Sequence, residues 1–145
     1  MIFIVGRNKM SNGHLTGMAG VYFVAAQASL RGLIASPTSR SAMAADLLVT
    51  DCECRRAYSV QVKTNKVTFA FWLMGKRCRE MISPALVYAL VNLRKEGVEF
   101  FLVPSAVVAE KIKVSEASRT RKQTWFSLYR KDIDQYRDGW DIFAK

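Results

Sequence analysis

The amino-acid sequence predicts an α/β fold with a mixed central β-sheet flanked by helices. Between Thr16 and Arg31 the apolar residues recur at three- and four-residue steps, the spacing of a helix that packs on one side, and Gly32 is a typical stop signal. Short apolar or alternating segments rich in β-branched and aromatic residues follow, and these are typical of strands. With 145 residues, 50% of them hydrophobic, the chain is long enough to bury the core of such a fold.

Three strands are predicted directly after the helix, at residues 33–35, 45–50 and 58–64. Residues 38–44 are predicted to form a loop between the first and second strands. The polar segment 51–56 fits a hairpin connection between the second and third strands. The order of these elements therefore places two neighbouring strands side by side at the centre of the sheet.

The second half of the chain is predicted to add further strands and two helices. Residues 67–74 are aromatic and β-prone, and residues 75–84 form a basic insertion that is irregular or briefly helical. The remaining predicted elements are a hairpin pair at 87–91 and 98–103, a helix from Ser105 as its N-cap to about Val114, a polar basic segment at 115–123, and a helix at 130–144 with Ile133, Tyr136, Trp140 and Phe143 on one face.

The net charge of +10 indicates an anionic partner, and DNA is the first candidate. The alternative is a basic surface that is only solvated, because net charge informs about partners and not about fold. The clusters that could follow a phosphate backbone are Lys76, Arg77 and Arg79 in one segment and Arg119, Arg121 and Lys122 in another. Trp125, Phe126 and Tyr129 either stack on bases or belong to the core.

Cysteine and histidine usage argues against a structural zinc site and against histidine-based chemistry. Cys52 and Cys54 stand two residues apart, Cys78 is distant, and no second Cys/His pair completes four ligands. His14 is the only histidine, which leaves little material for a histidine base. The cysteines are interpreted as reduced thiols of a cytoplasmic protein. No segment reaches transmembrane length, so no membrane partner is expected.

A possible chemical site comes from the two central strands. The strand at 58–64 alternates strictly, so that Gln61 and Lys63 leave one face while its apolar residues leave the other. Asp46 lies near the start of the neighbouring strand. A carboxylate and an amide oxygen suit a hard divalent cation, and a lysine suits a phosphate. The alternative is that Asp46 caps a strand or turn and that Gln61 and Lys63 are ordinary exposed residues.

Four short motifs in a fixed order resemble a known family. They are Gly17-Met-Ala-Gly20 and Leu30-Arg-Gly32 on the helix, and Asp46-Leu-Leu-Val-Thr-Asp51 and Val60-Gln-Val-Lys-Thr64 on the strands. In this order they resemble the PD-(D/E)xK nuclease superfamily, which includes archaeal Holliday-junction resolvases and many restriction-type nucleases. The likeness is greatest to small bacterial members with a D…QVKT signature. It extends through Leu102-Val-Pro-Ser105 to the Trp140-Asp141 pair, nearly the whole chain.

The resemblance implies a restriction-endonuclease-like core and a Mg²⁺ or Mn²⁺ site. In that core, residues 13–145 would form one PD-(D/E)xK-like domain after an amino-terminal extension at residues 1–12. Asp46 would be the metal ligand, Gln61 would stand in the place of the family's second acid, and Lys63 would be the catalytic lysine that helps to position the attacking water.

Two departures from the family pattern imply that the cation is weakly bound. Gln61 removes one negative charge from the cation site. Val21 stands where relatives usually keep a glutamate that points toward the metal, and we expect it to fill that place with hydrocarbon. Asp51 and Glu53 are the acids that could substitute, although both are expected beyond the end of the strand.

The leading functional interpretation is a nuclease-like domain that hydrolyses DNA phosphodiesters with Mg²⁺. One alternative is a catalytically inactive DNA-binding module that keeps the fold and the positive surface. Another is a protein-interaction subunit of a defence or mobile-element system, whose basic surface meets an acidic partner. Salt-dependent DNA binding without cleavage would favour the first alternative, and no DNA affinity would favour the second. The preferred DNA structure and the oligomeric state, a homodimer included, stay open.

Overall fold

Two β-sheets and two α-helices make up the regular structure of the residues that are described. The computed structural model describes residues 12–39, 45–67 and 69–145. In chain order the elements are α1 (Asn12–Leu30), β1 (Leu33–Pro37), β2 (Leu47–Asp51), β3 (Ala57–Asn65), β4 (Phe71–Met74), β5 (Leu86–Arg94), β6 (Gly97–Pro104), α2 (Ser105–Lys111), β7 (Lys113–Ser115) and β8 (Trp125–Tyr129). Short 3₁₀ turns occupy Lys76–Arg79, Arg130–Asp132, Asp134–Tyr136 and Trp140–Ala144.

The larger sheet has five strands in the order β1-β2-β3-β5-β6. Its neighbours are antiparallel except for β3 and β5, which are parallel and are joined by the long segment that contains β4. The smaller sheet is antiparallel in the order β4-β8-β7. The prediction of a mixed central sheet flanked by helices is therefore confirmed.

Each face of the larger sheet covers its own hydrophobic core. The first core joins α1 to Leu47, Val49, Val60 and Val62, and it includes Trp140 and Phe143 from the end of the chain. The second core lies on the opposite face under β4, β8 and α2, and its largest fully buried members are Trp72, Tyr88, Phe101, Leu90, Leu128 and Ile133. A central strand between two cores must alternate its side chains between them.

Strand β3 follows that alternation, as the sequence predicts. Val60 and Val62 belong to the core under α1. Gln61 and Lys63 therefore leave the other face, where their partners on β5 are Tyr88 and Leu90 of the second core. The hydrophobic cores on the two sides of β3 therefore determine which face each of its side chains leaves.

The prediction of a carboxyl-terminal helix at 130–144 is wrong. Three separate 3₁₀ turns stand there instead. Arg137 is extended and forms a bridge with Phe101, and Asp138 takes a positive φ of 51°, which no helix interior accommodates. Ile133, Trp140 and Phe143 are nevertheless buried, because irregular turns can deliver apolar side chains to a core as well as a helix can.

The segment between β6 and the carboxyl-terminal turns also differs from the prediction. Helix α2 ends at Lys111, short of Val114, and the strands β7 and β8 were not predicted. Ser105 is not the N-cap; its hydroxyl donates to the Ser83 carbonyl at 2.7 Å and accepts from the Ser83 N–H at 2.9 Å. Tertiary pairing with β4 makes residues 125–129 a strand, an effect that local propensity does not contain.

The predicted loop at 38–44 falls partly outside the described residues, of which Thr38 and Ser39 precede the gap. Within the described parts of the chain, no helix is long and apolar enough to cross a membrane.

Close contact between α1 and β3 depends on Gly20. A Cβ atom at this position would overlap the side chain of Thr64. The Thr64 hydroxyl is buried at this contact and has no hydrogen-bond partner among the described residues. The structure gives a physical reason for one of the glycines in the helix-opening motif.

We predict that Gly20→Ala lowers the free energy of unfolding by about 1–3 kcal/mol, because overpacking forces helix and strand apart. Gly17→Ala is the matched control on the same helix. Nothing described lies within 4 Å of a Cβ there, so this change is expected to stabilise the helix by roughly 0.5–1 kcal/mol. Urea unfolding of both variants measures the difference, and equal effects would contradict the close contact at Gly20.

Candidate functional site

The candidate site lies where β2 ends and β3 continues. The described pairing of β2 with β3 stops at Leu47 and Val60, whereas the pairing of β3 with β5 continues to Asn65. Residues 61–65 of β3 therefore extend beyond the last paired residue of β2. This stretch carries both Gln61 and Lys63.

Asp46 lies immediately before β2 and is bound to this stretch of β3. Its backbone N–H donates to the Val60 carbonyl at 2.8 Å, and its Oδ2 accepts the Val62 backbone N–H at 2.7 Å. The carboxylate thus binds the backbone N–H of Val62, the residue between Gln61 and Lys63. The predicted strand at 45–50 begins only at Leu47, since a side-chain hydrogen bond replaces the regular ladder at Asp46.

The structure therefore brings the three predicted site residues together on adjacent strand segments. Asp46 is partly buried, and so are Gln61 and Lys63. Thr38 holds the acid's backbone from the other side: its N–H donates to the Asp46 carbonyl at 3.0 Å, and its hydroxyl donates to the Ala45 carbonyl at 2.5 Å. The acid is consequently positioned through both its backbone and its side chain.

Two ionisable groups on the same side of the sheet as Lys63 stay uncharged at neutral pH. Burial raises the pKa of the Cys78 thiol, and the nearby charge of Lys63 lowers it in part. Burial also raises the pKa of Tyr88 to about 12. At neutral pH Cys78 and Tyr88 are thus an uncharged thiol and phenol, so neither supplies a negative charge that would neutralise Lys63.

Two cavities flank this part of β3. One of about 330 Å³ is lined by Lys63, Thr64, Asn65, Phe69, Phe71, Trp72 and Leu73. Another of about 390 Å³ is lined by residues that include Ala45, Ser59 and Glu80. Glu80 therefore brings a carboxylate to a cavity that is also lined by Ala45, the residue before Asp46. The sequence did not single out this acid, because it follows the basic run at 76–79 and no spacing rule links it to Asp46.

The other acids named from the sequence lie elsewhere. Asp51 is the last residue of β2, about 17 Å along the strand from Asp46. Its Oδ1 accepts the N–H groups of Glu53 and Arg55 at 3.0 and 3.1 Å, bonds that hold its pKa below the usual value. Asp51 and Glu53 are thus bound within the β2–β3 turn and do not join the candidate site.

Val21 is also separated from the candidate site. It is 6% exposed and belongs to the core under α1 together with Val60 and Val62. Because alternate residues of a strand leave opposite faces, Val21 and Lys63 lie on opposite sides of the sheet. The expectation that Val21 fills a place in the cation site is therefore wrong.

The donor set is small for a divalent cation. Asp46 has one oxygen engaged by Val62, and Gln61 offers an amide oxygen. Within the ranges that the structure describes, no group of three or more His, Cys, Asp or Glu side chains is placed to hold a metal ion. Mg²⁺ commonly uses one or two carboxylates together with substrate phosphates and waters. The residues therefore fit a cation only if a phosphate supplies further oxygens.

The two predicted basic clusters occupy different places. Lys76, Arg77 and Arg79 are exposed on the 3₁₀ turn directly before Glu80, which lines one cavity together with Ala45 and Ser59. This cluster is therefore a neighbour of the candidate site.

The second cluster lies on the β7–β8 connection of the smaller sheet. Arg119 and Lys122 are exposed, and Arg121 donates to the Glu116 carbonyl at 3.2 Å while its guanidinium lies 5.4 Å from the centre of the Trp125 ring. The β4–β8 pairing places Met74 opposite Phe126, so this connection and the 3₁₀ turn after β4 leave the smaller sheet at the same end. The two clusters thus lie on different turns at one end of the smaller sheet.

The aromatic residues of β8 divide between surface and core. Trp125 is 40% exposed, whereas Phe126 packs against the second core. Tyr129 is partly buried, with its ring 5.6 Å from that of Phe71. Only Trp125 has the exposure that stacking on a base would require, and Arg121 already covers one part of it.

Histidine and cysteine residues contribute nothing to this arrangement apart from Cys78. His14 is exposed in the first turn of α1. Cys52 and Cys54 are free, exposed thiols on the β2–β3 turn, at the opposite end of β2 from Asp46.

The architecture matches a solved nuclease structure. Hjc, a Holliday junction resolvase from the archaeal hyperthermophile Archaeoglobus fulgidus, superposes with a TM-score of 0.53 over 82% of this chain and 93% of that chain. This protein has a restriction-endonuclease-like fold. The sequence identity of 11% means that the likeness describes the fold and not the chemistry. No family model and no curated protein matches the sequence.

The hydrogen bond between Asp46 and Val62 makes a prediction about stability. Asp46→Ala leaves the Val62 N–H without its acceptor and should lower the free energy of unfolding by about 1–3 kcal/mol. Asp46→Asn keeps an acceptor oxygen and should cost less. Asp141→Ala is the control, since its exposed pair with Lys145 is expected to contribute at most about 1 kcal/mol. Thermal unfolding compares the three, and equal stability of the Ala and Asn variants would speak against an anchoring role.

Proposed function

We propose that this protein is a PD-(D/E)xK-type nuclease that hydrolyses DNA phosphodiesters with a weakly bound Mg²⁺ or Mn²⁺ ion. One observation carries the proposal. The Asp46 carboxylate is held on the backbone between Gln61 and Lys63, on the part of β3 that extends past β2, within a fold shared with a Holliday junction resolvase. The Gln61-Val-Lys-Thr64 motif lies on this same stretch, and Asp46 opens the motif that continues along β2.

Asp46 and Gln61 are the proposed cation ligands. Val62 engages Oδ2 of Asp46, so cation binding would rest on Oδ1 and on the amide oxygen of Gln61. A bound divalent cation supplies Lewis acidity beside a phosphate. Because Asp51 is bound in the β2–β3 turn, Asp46 is the carboxylate that these strand segments bring to the site, so binding depends on oxygens from the DNA itself, which accounts for a weak affinity in the absence of DNA.

Lys63 is the proposed catalytic lysine. Its ammonium leaves the same face of β3 as Gln61, close to the buried Cys78 thiol. There it can donate a hydrogen bond to a phosphate oxygen, offset the charge that develops on that oxygen, and orient the attacking water.

A catalytically inactive DNA-binding module is the second candidate. It is favoured by the scarcity of carboxylates at the site, where no metal-binding group of three is found among the described residues. A protein-interaction subunit with an acidic partner is a third candidate, and the net charge of +10 suits it equally. DNA binding and cleavage separate the three.

The proposal extends to the organisation and setting of the chain. We propose one domain over residues 13–145, an amino-terminal extension over residues 1–12, and a cytoplasmic location. Contact with DNA would run along the cluster Lys76, Arg77 and Arg79, which adjoins Lys63, and would reach Arg119, Arg121 and Lys122 on the smaller sheet. A homodimer remains compatible with this arrangement.

Cleavage of DNA tests the proposed site. Supercoiled, linear and branched DNA should be cut in Mg²⁺ or Mn²⁺ but not in EDTA, and Asp46→Asn should abolish cutting with little loss of DNA affinity, because the change removes a negative charge. Gln61→Glu restores a second carboxylate and should tighten cation binding by about tenfold or more, a factor that corresponds to roughly 1.4 kcal/mol.

The outcomes assign the function. If the wild-type protein binds DNA without cutting it, and Gln61→Glu alone yields metal-dependent nicking that Asp46→Asn removes, the protein is the inactive module. If Asp46→Asn cuts as fast as the wild type, the proposed site is wrong. Absence of both binding and cutting favours the protein-interaction subunit.

The salt dependence of binding tests the proposed path of the DNA. The logarithmic affinity for duplex DNA should fall linearly with logarithmic salt concentration, and each lost phosphate contact should reduce the slope by about 0.9. Replacing Lys76, Arg77 and Arg79 together with glutamine should reduce the slope. The same experiment on Arg119, Arg121 and Lys122 reports whether DNA reaches the smaller sheet, and an unchanged slope excludes that cluster from the interface.

A further inference from the structure

Three arginine side chains converge on one buried carboxylate near the β5–β6 turn of the larger sheet. Glu99 lies on β6 with its side chain only 3% exposed. Its Oε1 is contacted by Arg130 at 2.9 Å, Arg94 at 3.0 Å and Arg137 at 3.2 Å. The arginines come from β5, from the turn after β8 and from the segment before Trp140, so three distant parts of the chain meet here.

The carboxylate is held rigidly from its other side. Oε2 of Glu99 accepts from the amide of Asn92 at 3.3 Å, and the Asn92 oxygen accepts from Asn65 at 3.1 Å. The amide of Asn65 also donates to the Phe71 carbonyl at 3.0 Å. A chain of hydrogen bonds thus runs across three strands from Glu99 to β3, and it fixes the point on which the arginines converge.

The number of arginines exceeds what the buried acid requires. One carboxylate balances one of the three guanidinium charges, which leaves an excess of two. Glu96 lies 3.8 Å from Arg94 but is 77% exposed, so water screens most of its charge. The three contacting nitrogens lie within about 6 Å of one another, since each is within 3.2 Å of the same oxygen, and like charges at such distances repel.

The arginines remain open to solvent on their outer side. Their side chains are 37%, 32% and 47% exposed for Arg94, Arg130 and Arg137, while the carboxylate beneath them is buried. Arg130 also lines an open cavity of about 710 Å³ with Lys131, and Asp134 is the acid on that wall. An anion can therefore reach the cluster from outside and meet preorganised donors.

We propose that Arg94, Arg130 and Arg137 form a phosphate-binding site that Glu99 organises from below. Guanidinium groups bind phosphate through paired N–H donors, and a phosphate has enough acceptor oxygens to contact all three. The ligand relieves the repulsion among the arginines, whereas Glu99 keeps them together when no ligand is bound. Neither the sequence motifs nor the two predicted basic clusters include any of these residues.

The position of the site favours the phosphate of a DNA backbone. Glu99, Asn92 and Asn65 are register partners on adjacent strands, and Asn65 lies two residues beyond Lys63 on the same face of β3. The Cα atoms of Lys63 and Glu99 are about 12 Å apart from strand geometry, which is close enough for one DNA strand to contact both sites. This assignment of the source rests on the proposed function; the phosphate site itself does not.

Thermal melting in sodium phosphate against sodium chloride of equal ionic strength tests the site on the full chain. Phosphate should raise the melting temperature of the wild type in a saturable manner. Arg137→Gln leaves Arg94 and Arg130 on Glu99, so the fold is expected to persist, and it should weaken the apparent phosphate affinity about tenfold. Arg137→Lys keeps the charge without the paired donors and should fall between the two.

Arg55→Gln is the matched control. Arg55 is also paired with carboxylates, those of Asp51 and Glu53, but it lies on the β2–β3 turn at the opposite end of β3. It should retain the phosphate affinity of the wild type. If Arg137→Gln fails to fold, Arg94→Gln replaces it, since that change leaves the other two arginines in contact with Glu99. Equal phosphate affinity of the wild type and of the folded arginine-to-glutamine variant, Arg137→Gln or Arg94→Gln, would overturn the proposal.

Binding of duplex DNA distinguishes a backbone phosphate from a free phosphate as the ligand of this site. In chloride buffer without phosphate, Arg137→Gln should reduce the salt slope of DNA binding by about 0.9 if the site holds a backbone phosphate. Loss of phosphate affinity with an unchanged slope assigns the site to a free phosphate. Neither arm measures cleavage, so failure of the nuclease proposal and failure of the phosphate site give different results.

Discussion

The alternation of side chains along β3 is the constraint on which the rest of the molecule depends. Strand β3 pairs with a neighbour on each edge and has a hydrophobic core on each face, so its side chains alternate between the side of α1 and the side of the second core. Burial of Val60 and Val62 under α1 obliges Gln61 and Lys63 to leave the opposite face. A slip of one residue would exchange the two sets and would bury the lysine under the helix.

Asp46 has a structural and a proposed chemical role that compete for the same carboxylate. One oxygen satisfies the Val62 N–H where the regular ladder of β2 ends. The other is available to a cation. The structural bond preorganises the acid, which is favourable for binding, but it also removes one of the few oxygen donors near the strand end. A single carboxylate in this position explains why any cation site here must borrow oxygens from its substrate.

Positive charge is distributed in two different ways. The clusters at residues 76–79 and 119–122 lie mostly on exposed turns, where water and salt screen them and their attraction to an anion is general. The arginines around Glu99 are partly desolvated and held at a common oxygen, so their attraction is directional. The same net charge of +10 therefore includes both a diffuse surface and a geometrically defined site.

What the sequence by itself determined was local. The helix from Thr16 onward, the alternation of β3 and the hairpin of β5 and β6 follow from periodicity and turn residues. The same patterns placed Asp46, Gln61 and Lys63 on neighbouring strand segments. Tertiary structure decided the rest. Strand β8 forms because it pairs with β4 and β7. The chain after Arg130 forms 3₁₀ turns, and Arg137 bridges Phe101. Val21 lies away from the site because α1 packs on the opposite face of the sheet. The convergence on Glu99 joins residues up to 43 positions apart, from Arg94 to Arg137, and no local pattern encodes a contact that only folding brings together.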